Sequence, residues 1–183
     1  MDIEHLPATK LLSDGTRLTI RPLRADEVRP FYDALTEAIR SNNGYGFDEL
    51  PSFDYFARHY VDNFQNVVYE LAETGQTVAF GNFGSSQFSR SAAPALVDGN
   101  QVILPEFRSR KWLRQIFILD LAGDVGVRLS CQGDTASLNA ATIRVFTQIG
   151  FIVDGVLPKG IYFKDQGWTD LVLYYRPTMK LKM

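Results

Sequence analysis

The spacing of apolar and polar positions divides the first half of the chain into one strand and two helices. Alternating side chains in "TRLTIRP", with Leu18 and Ile20 on one face, predict a strand of about six residues that stops at Pro22. Apolar residues at helical spacing between Val28 and Ile39 predict a helix that ends at the following Asn-Asn-Gly. A second helix is predicted over 52–64, where aromatic residues recur three or four positions apart. We interpret that aromatic stripe as core packing, with a lid over a cleft as the alternative.

The second half alternates between β-rich and helical patterns. "NVVYELAET" and "QTVAFGNFGSSQF" predict a hairpin that turns at Thr74–Gln76. After it come a strand at "NQVILP", a helix from Arg108 to about Val127, a strand at "VRLSCQ", a helix from Asp134 to Gly150, and final strands at "FIVDGVLP" and "WTDLVLYYRP". The predicted order is β-α-α-β-β-β-α-β-α-β-β. It indicates one α/β domain over 1–183, in which 100–132 forms a parallel crossover.

Composition adds little to this picture. The 183 residues are 45% hydrophobic and 22% charged, with a net charge of −2, which is typical of a globular chain without a general attraction to nucleic acid or membranes. The N-terminus, "MDIEHLPATK", does not resemble a signal peptide, and no apolar run approaches the length of a membrane span, so we expect a cytoplasmic protein. The single cysteine, Cys131, is expected to be a core residue. No metal site is predicted.

The segment "LPEFRSRKWLRQIF" (104–117) is the main candidate for binding chemistry. An extended apolar run meets a proline and then a cluster of three arginines and one lysine that begins an amphipathic helix. A positively charged helix N-terminus after a strand is a favourable place for a phosphate group. The alternative is a solvated basic helix face, or a basic patch for another partner.

Three stretches in this order resemble the GCN5-related N-acetyltransferase (GNAT) family. "IRPLRADE" is similar to the family's first strand and the turn into its first helix, and "VILPEFRSRKWLRQIF" to its fourth strand and acetyl-CoA pyrophosphate loop, R/Q-x-x-G-x-G/A. "LNAATIRVFTQIGFIVDG" is similar to the family's N-x-x-A/S ending, with Asn139, Gly150, Phe151 and Gly155 at the expected spacings.

The resemblance implies a mixed, mostly antiparallel sheet with flanking helices, splayed between the family's fourth and fifth strands to hold CoA. It implies acetyl-CoA, or another acyl-CoA, as co-substrate. The cofactor-binding residues carried over are Ile103, Leu104, Arg108, Ser109, Arg110, Lys111, Trp112, Leu113, Arg114 and Asn139.

The chain departs from the family pattern at two places. Lys111 and Leu113 occupy the positions of the loop glycines, where a side chain hinders the approach of backbone to phosphate. Phe146 stands seven residues after Asn139, where many family members have a tyrosine that protonates the leaving thiolate, and phenylalanine cannot donate a proton.

The predicted catalytic residues are Asn139 and Glu106. Asn139 is expected to position cofactor or substrate, with a hydrogen bond in the first helical turn as the equal alternative. Glu106 is expected to be the base that removes a proton from the amine, although Asp98, Tyr69 and Tyr162 are further candidates that the sequence does not rank.

These features favour an acyl-CoA-dependent N-acetyltransferase that acts on a small-molecule amine or amino acid. The alternative is a catalytically silent module with the same fold that binds a ligand or a protein partner. Nucleic-acid binding is disfavoured because the rest of the chain is net acidic. The apolar final strand "LVLYYRP" leaves a homodimer open, as it could pair with a second copy.

Overall fold

The structure, a computed structural model, describes residues 6–41, 48–86, 96–110, 112, 114–116 and 130–176, apart from the side chains of residues 96, 97 and 109. Its framework is one eight-stranded sheet with the order β1-β2-β3-β4-β5-β6-β8-β7. The strands are β1 (Ala8–Leu11), β2 (Arg17–Pro22), β3 (Gln65–Leu71), β4 (Thr77–Ser85), β5 (Leu96–Ile103), β6 (Ser130–Ala136), β7 (Ile152–Phe163) and β8 (Gly167–Arg176). Among the described residues the helices are α1 (Val28–Arg40), α2 (Phe53–Phe56) and α3 (Ala140–Gln148), and residues 114–116 form a further helical turn.

The sheet is mixed and mostly antiparallel, as predicted. β5 and β6 are parallel neighbours, and every other pair of adjacent strands is antiparallel. The parallel pair joins strands separated by the crossover that the sequence predicted. The hairpin between β3 and β4 is also confirmed, and its turn contains Gly75 at φ 71°, a backbone conformation that glycine adopts without strain.

Each face of the sheet carries its own core, because successive side chains of a strand point to opposite faces. On one face Phe31 and Leu35 of α1 pack with Phe56 of α2 against Val68, Phe80 and Val102. On the other face Phe146 and Ile149 of α3 pack against residues of the opposite strand register, including Ile103, Cys131 and Tyr174. We refer to these as the α1 face and the α3 face.

Several predicted boundaries are wrong. β6 continues to Ala136, so the last helix begins at Ala140 rather than at Asp134. Leu138 is therefore 47% exposed in a turn, although the helical pattern placed it in the core. β1 was not predicted, since its four residues are too few to show a period. The predicted aromatic helix over 52–64 is α2 followed by one π-helical segment, Ala57–Val61.

The final strand cannot add a second copy in the way the sequence suggested. β8 lies between β6 and β7 and is hydrogen-bonded on both sides. The outer strand at this end is β7, which exposes Ile152, Val153, Val156 and Leu157. Pro158 has no N–H group, so this edge lacks a hydrogen-bond donor at that position for pairing with another strand.

Two further properties hold for the part of the chain that the structure describes. No helix there is long and apolar enough to cross a membrane. No group of three or more His, Cys, Asp or Glu side chains there could hold a metal ion.

Candidate active site

The sheet opens between β5 and β6. The two strands pair only at Leu96–Ser130 and Val97–Cys131, after which the ladder stops while both strands continue. The remaining residues of β5 and β6 diverge from this short joint and form a V-shaped gap. Unpaired backbone at such an edge can accept an extended ligand, as an added strand would be accepted.

Two carboxylates stand at the vertex of the gap on the α1 face. Val102 packs on the α1 face and Cys131 on the α3 face, so the alternation of side chains places Asp98 and Asp134 together on the α1 face. A contact across the joint confirms this register: the Ser86 hydroxyl donates to Oε1 of Gln132 at 2.6 Å. The vertex therefore offers two acidic groups from two different strands.

Asp98 has the properties of a base that titrates near neutrality. Burial and then the charge of Asp134 raise its pKa from 3.8 to about 6, and a hydrogen bond from the backbone N–H of Gly99 (2.7 Å) offsets part of that increase. Asp134 is open to solvent within the gap, yet the surrounding protein also raises its pKa. Among the described residues, no Lys, Arg or His forms an ion pair with either carboxylate.

A row of three asparagines leads across the sheet to this vertex. Asn66, Asn82 and Asn100 are cross-strand partners on β3, β4 and β5. Asn82 is fully buried, and its Oδ1 accepts from the N–H of Asn100 at 2.9 Å. The neighbouring row of the same face is Val68, Phe80 and Val102, so the polar row interrupts an otherwise apolar surface. This row was not predicted from the sequence, although polar residues at inward positions of strands were a signal for it.

The aromatic segment after α2 covers the vertex. The side-chain amide of Asn66 donates to the carbonyls of Val61 (2.9 Å) and Phe64 (2.7 Å) and fixes this segment on the sheet. Phe64 lies on Gly84, the cross-strand partner of Asp98, where an added Cβ would come within 2.5 Å of the ring. The pKa of Tyr60 is raised by burial, then by Tyr55 and by the negative charge of Asp98, so this phenol is close to the carboxylate. The aromatic residues of this segment thus pack in the core and also cover the vertex.

The basic loop after β5 is only partly open to a ligand. Residues Pro105–Arg110 form a 3-10 segment, and Trp112 is buried with its indole N–H donating to Asp14 at 2.7 Å. The guanidinium of Arg108 is held by Glu37 of α1. Arg110 is exposed and stacks on Trp112, 5.2 Å from the ring centroid. Lys111 and Leu113 lie outside the described residues.

The remaining predicted cofactor residues divide between core and surface. Ile103 is buried in the α3-face core, and the N–H of Leu104 donates to Val78 at 2.9 Å. Arg114 is exposed in the helical turn 114–116. Of the helix predicted from Arg108 to about Val127, the structure describes this turn, residue 112, and residues 108–110, which belong to the 3-10 segment and not to an α-helix. Within this segment, Arg110 and Arg114 are therefore the described cations that are exposed and could contact an anion. Since the side chain of Trp112 is in the core, only its backbone could contact a ligand.

The predicted catalytic residues have different surroundings. Asn139 is the N-cap of α3, and its Oδ1 accepts from the N–H of Thr142 at 3.0 Å. Glu106 is exposed in the first turn after β5. It follows the C-terminal end of this strand, whereas Asp98 lies near the N-terminal end. Phe146 is buried and stacks on Phe151 at 4.7 Å. Asp98 is the candidate base that the fold brings to the vertex, and the sequence did not rank it above the others.

A cavity of about 460 Å³ opens on the α1 face. Tyr32, Thr36 and Arg40 line it from α1, and the turn between β7 and β8 closes the opposite side. Phe163, in its wall, packs with Ala136, which follows Asp134 by two residues on the same face of β6. The charged groups around it are of both signs: Arg40, Asp48, Glu49, Lys164 and Asp165.

Comparison with known proteins identifies the fold. No protein-family model matches the chain, and no curated protein matches it in sequence. Solved N-acetyltransferase structures do match. A GNAT superfamily phosphinothricin acetyltransferase from Sinorhizobium meliloti, solved with AcCoA, has a TM-score of 0.72 at 17% identity, covering 87% of this chain and 88% of that chain.

Two further matches extend the same result. A spermidine N-acetyltransferase from Vibrio cholerae, solved with CoA and spermine, has a TM-score of 0.71 at 16% identity, with 88% of this chain and 96% of that chain covered. A GCN5-related N-acetyltransferase from Kribbella flavida has a TM-score of 0.70 at 18% identity, with 87% and 97% covered. The chain therefore has the GNAT acetyltransferase fold, and at these identities the likeness concerns the fold.

Proposed function

We propose that the protein is an acyl-CoA-dependent N-acetyltransferase that transfers an acyl group to the nitrogen of a small amine, with Asp98 as the general base. The observation that carries this proposal is a carboxylate with a pKa of about 6 at the vertex of a splayed parallel strand pair. A base whose pKa lies near the working pH combines sufficient ionisation with sufficient basicity.

The residues present fit an acyl-CoA. The unpaired edge of β5 beyond Val97 suits an extended amide-bearing arm, and Arg110 and Arg114 can face its phosphates. When bound, the acyl-CoA supplies the thioester carbonyl that the amine attacks. The absence of loop glycines and the engagement of Arg108 leave fewer contacts for phosphate than the family motif offers.

The chain's own groups then account for binding and deprotonation of the acceptor. The two carboxylates at the vertex attract the amine as its ammonium ion. Asp98 takes one proton from that ion and frees the nitrogen lone pair for attack on the carbonyl carbon. The C–S bond breaks as the C–N bond forms, and the acylated nitrogen gives up its extra proton to the leaving thiolate, directly or through solvent, which yields the amide and the free thiol. Asp98 then releases its own proton to solvent. The cavity beside α1 is proposed to hold the rest of the acceptor.

The experiment begins with calorimetric titration of acetyl-CoA into the protein. Release of free CoA thiol is then followed with a panel of amines that includes polyamines and amino acids. Asp98→Asn should keep its affinity for acetyl-CoA and lose activity by about 10²–10⁴-fold, the usual contribution of a general base. In the unaltered protein kcat/KM should rise with pH through about 6, since Asp98 must be ionised to accept a proton.

Asp154→Asn is the matched control, because Asp154 is an exposed carboxylate on β7 outside the gap. Equal activity of Asp98→Asn and Asp154→Asn would rule out Asp98 as the base.

A second candidate function is supported by Phe146. Its ring is committed to the core at the position where many GNAT enzymes have a tyrosine that acts as the acid. A silent module would bind CoA and transfer no acyl group to any amine in the panel. Binding without turnover would therefore favour this alternative, and failure to bind acetyl-CoA or CoA would contradict both proposals.

A further inference from the structure

Arg108 joins the loop after β5 to helix α1. Its Nε–H donates to the carbonyl of Ile103, the last residue of β5, at 2.9 Å. Its two terminal nitrogens donate to the carboxylate of Glu37, at 2.5 and 3.4 Å. The guanidinium thus holds the strand end and the helix at once, and a planar donor fork of this kind is specific to arginine.

Helix α1 lies between this loop and the cavity. Its buried residues Phe31, Leu35 and Ala38 face the sheet. Thr36 and Arg40 are on the flank that lines the cavity, whereas Glu37, one position or about 100° further round the helix, is on the flank that reaches Arg108. One rigid element therefore contacts both the cavity and the loop proposed to bind the cofactor.

We infer that Glu37 is a positioning residue for the cofactor: through Arg108 it fixes the 105–110 segment against the end of β5, so that the segment is already ordered when acyl-CoA binds. This inference rests on the proposed function. It replaces the role that the sequence suggested for Arg108, a direct phosphate contact, by an indirect one. A loop held in its binding geometry before the ligand arrives loses less conformational entropy on binding.

The two roles of Arg108 predict opposite effects when Glu37 is neutralised. If Arg108 were a phosphate ligand, removing the neighbouring negative charge would free its guanidinium and strengthen CoA binding. If Glu37 positions the loop, Glu37→Gln weakens CoA binding, because the amide has lost the charge that makes the paired hydrogen bonds strong. The sign of the change separates the two.

The test is titration of the full-length protein with CoA. We expect Kd to rise about fivefold for Glu37→Gln and similarly for Arg108→Lys, which keeps the charge but cannot form the fork. The double variant should be no weaker than Arg108→Lys alone, because the two residues act as one unit. With acetyl-CoA and an active amine, KM for acetyl-CoA should rise while kcat stays within about twofold.

Asp33→Asn is the control for a general effect on the helix. Asp33 is one turn before Glu37 on α1, forms an exposed ion pair with Arg29 at 3.0 Å, and does not contact the loop among the described residues. This variant should bind CoA as the unaltered protein does. Unchanged or tighter binding by Glu37→Gln would overturn the inference.

Hydrogen exchange without any ligand tests the positioning role separately from the proposed function. The amide of Phe107, which donates to Leu104 at 2.9 Å, should exchange faster in Glu37→Gln than in Asp33→Asn. If the unaltered protein does not bind CoA, the proposed function fails whatever this exchange shows. If it binds CoA and neither the exchange nor Kd changes in Glu37→Gln, only the positioning role fails.

Discussion

Asp98 illustrates how one residue can oppose folding and still serve the site. Its carboxylate is placed among protein atoms and near Asp134, and both raise its pKa. A raised carboxyl pKa means that the folded protein binds the proton more tightly than the unfolded chain does. The contribution of this group to the free energy of unfolding is therefore fully present below pH 3.8 and is lost as the pH rises through about 6. A site selected for stability alone would not keep this charge.

Asp98→Asn is therefore expected to make the protein more stable at pH 8. We expect a gain of about 1–2 kcal/mol in the free energy of unfolding, after allowing for solvent screening in the gap. The gain should disappear at about pH 3 and below, where Asp98 is protonated in both states. Urea titrations at both values of pH measure it, with Asp154→Asn as the exposed control. No gain at pH 8 would show that ionisation of Asp98 does not destabilise the folded protein.

At the scale of elements, one buried ion cluster connects the first strands to the start of α1. Arg21 of β2, which is 8% exposed, pairs with Glu70 of β3 and with Glu27, which precedes α1. Glu27 also accepts from the N–H of Arg24 at 2.8 Å, so the same carboxylate fixes the turn into the helix. The cluster determines how α1 leaves the sheet, and hence where the cavity and Glu37 lie.

Arg21→Met should destabilise the protein by about 2–4 kcal/mol, since it leaves two largely covered carboxylates without a counter-charge. Arg17→Met is its counterpart on the same strand. The Arg17–Glu73 pair is half-exposed on both sides, so its loss should change the stability little. Adding Glu27→Gln and Glu70→Gln to Arg21→Met should recover part of the loss. Urea denaturation at pH 7 gives all these values, and equal losses for the two arginines would contradict the argument.

The elements were predicted more successfully than the site, for physical reasons. Helical periodicity indicated α1 because one of its faces lies in the core. The β3–β4 hairpin was indicated instead by two β-rich runs joined at a turn, and the central residues of both strands are buried on both faces of the sheet. Periodicity misplaced the start of α3, because Thr135 and Ala136 belong to a strand that β8 pairs from outside the local sequence. Asp98 lies in the candidate site because β5 and β6 separate next to it. The residue pattern of one strand contains no information on where the neighbouring strand separates from it.

At the scale of the whole molecule, the sheet is two sheets joined at one short seam. β1 to β5 form one part, β6, β8 and β7 the other, and Leu96–Ser130 and Val97–Cys131 are the strand pairs between them. Cys131, the only cysteine of the sequence, is at this joint and 7% exposed. A ligand that occupies the gap contacts both parts, so its binding should oppose their separation.

The rate at which a thiol reagent modifies Cys131 should report this separation. CoA at a hundred times its Kd should slow the reaction about a hundredfold, if reaction requires an opening that destroys the cofactor site. Cys131→Ala combined with Gln76→Cys, an exposed position in the β3–β4 turn, should react rapidly and without regard to CoA. A rate for Cys131 that does not change with bound CoA would show that the two parts do not separate at this joint.

The unequal burial of the two tryptophans has an optical consequence. Trp112 is in the core beside the loop, with its indole N–H held by Asp14, whereas Trp168 is 63% exposed at the far end of β8. Iodide reaches an exposed indole by collision and leaves a buried one emitting. In the presence of iodide the remaining tryptophan emission therefore comes from Trp112. The native chain thus contains a fluorescent probe of the region beside the cofactor loop.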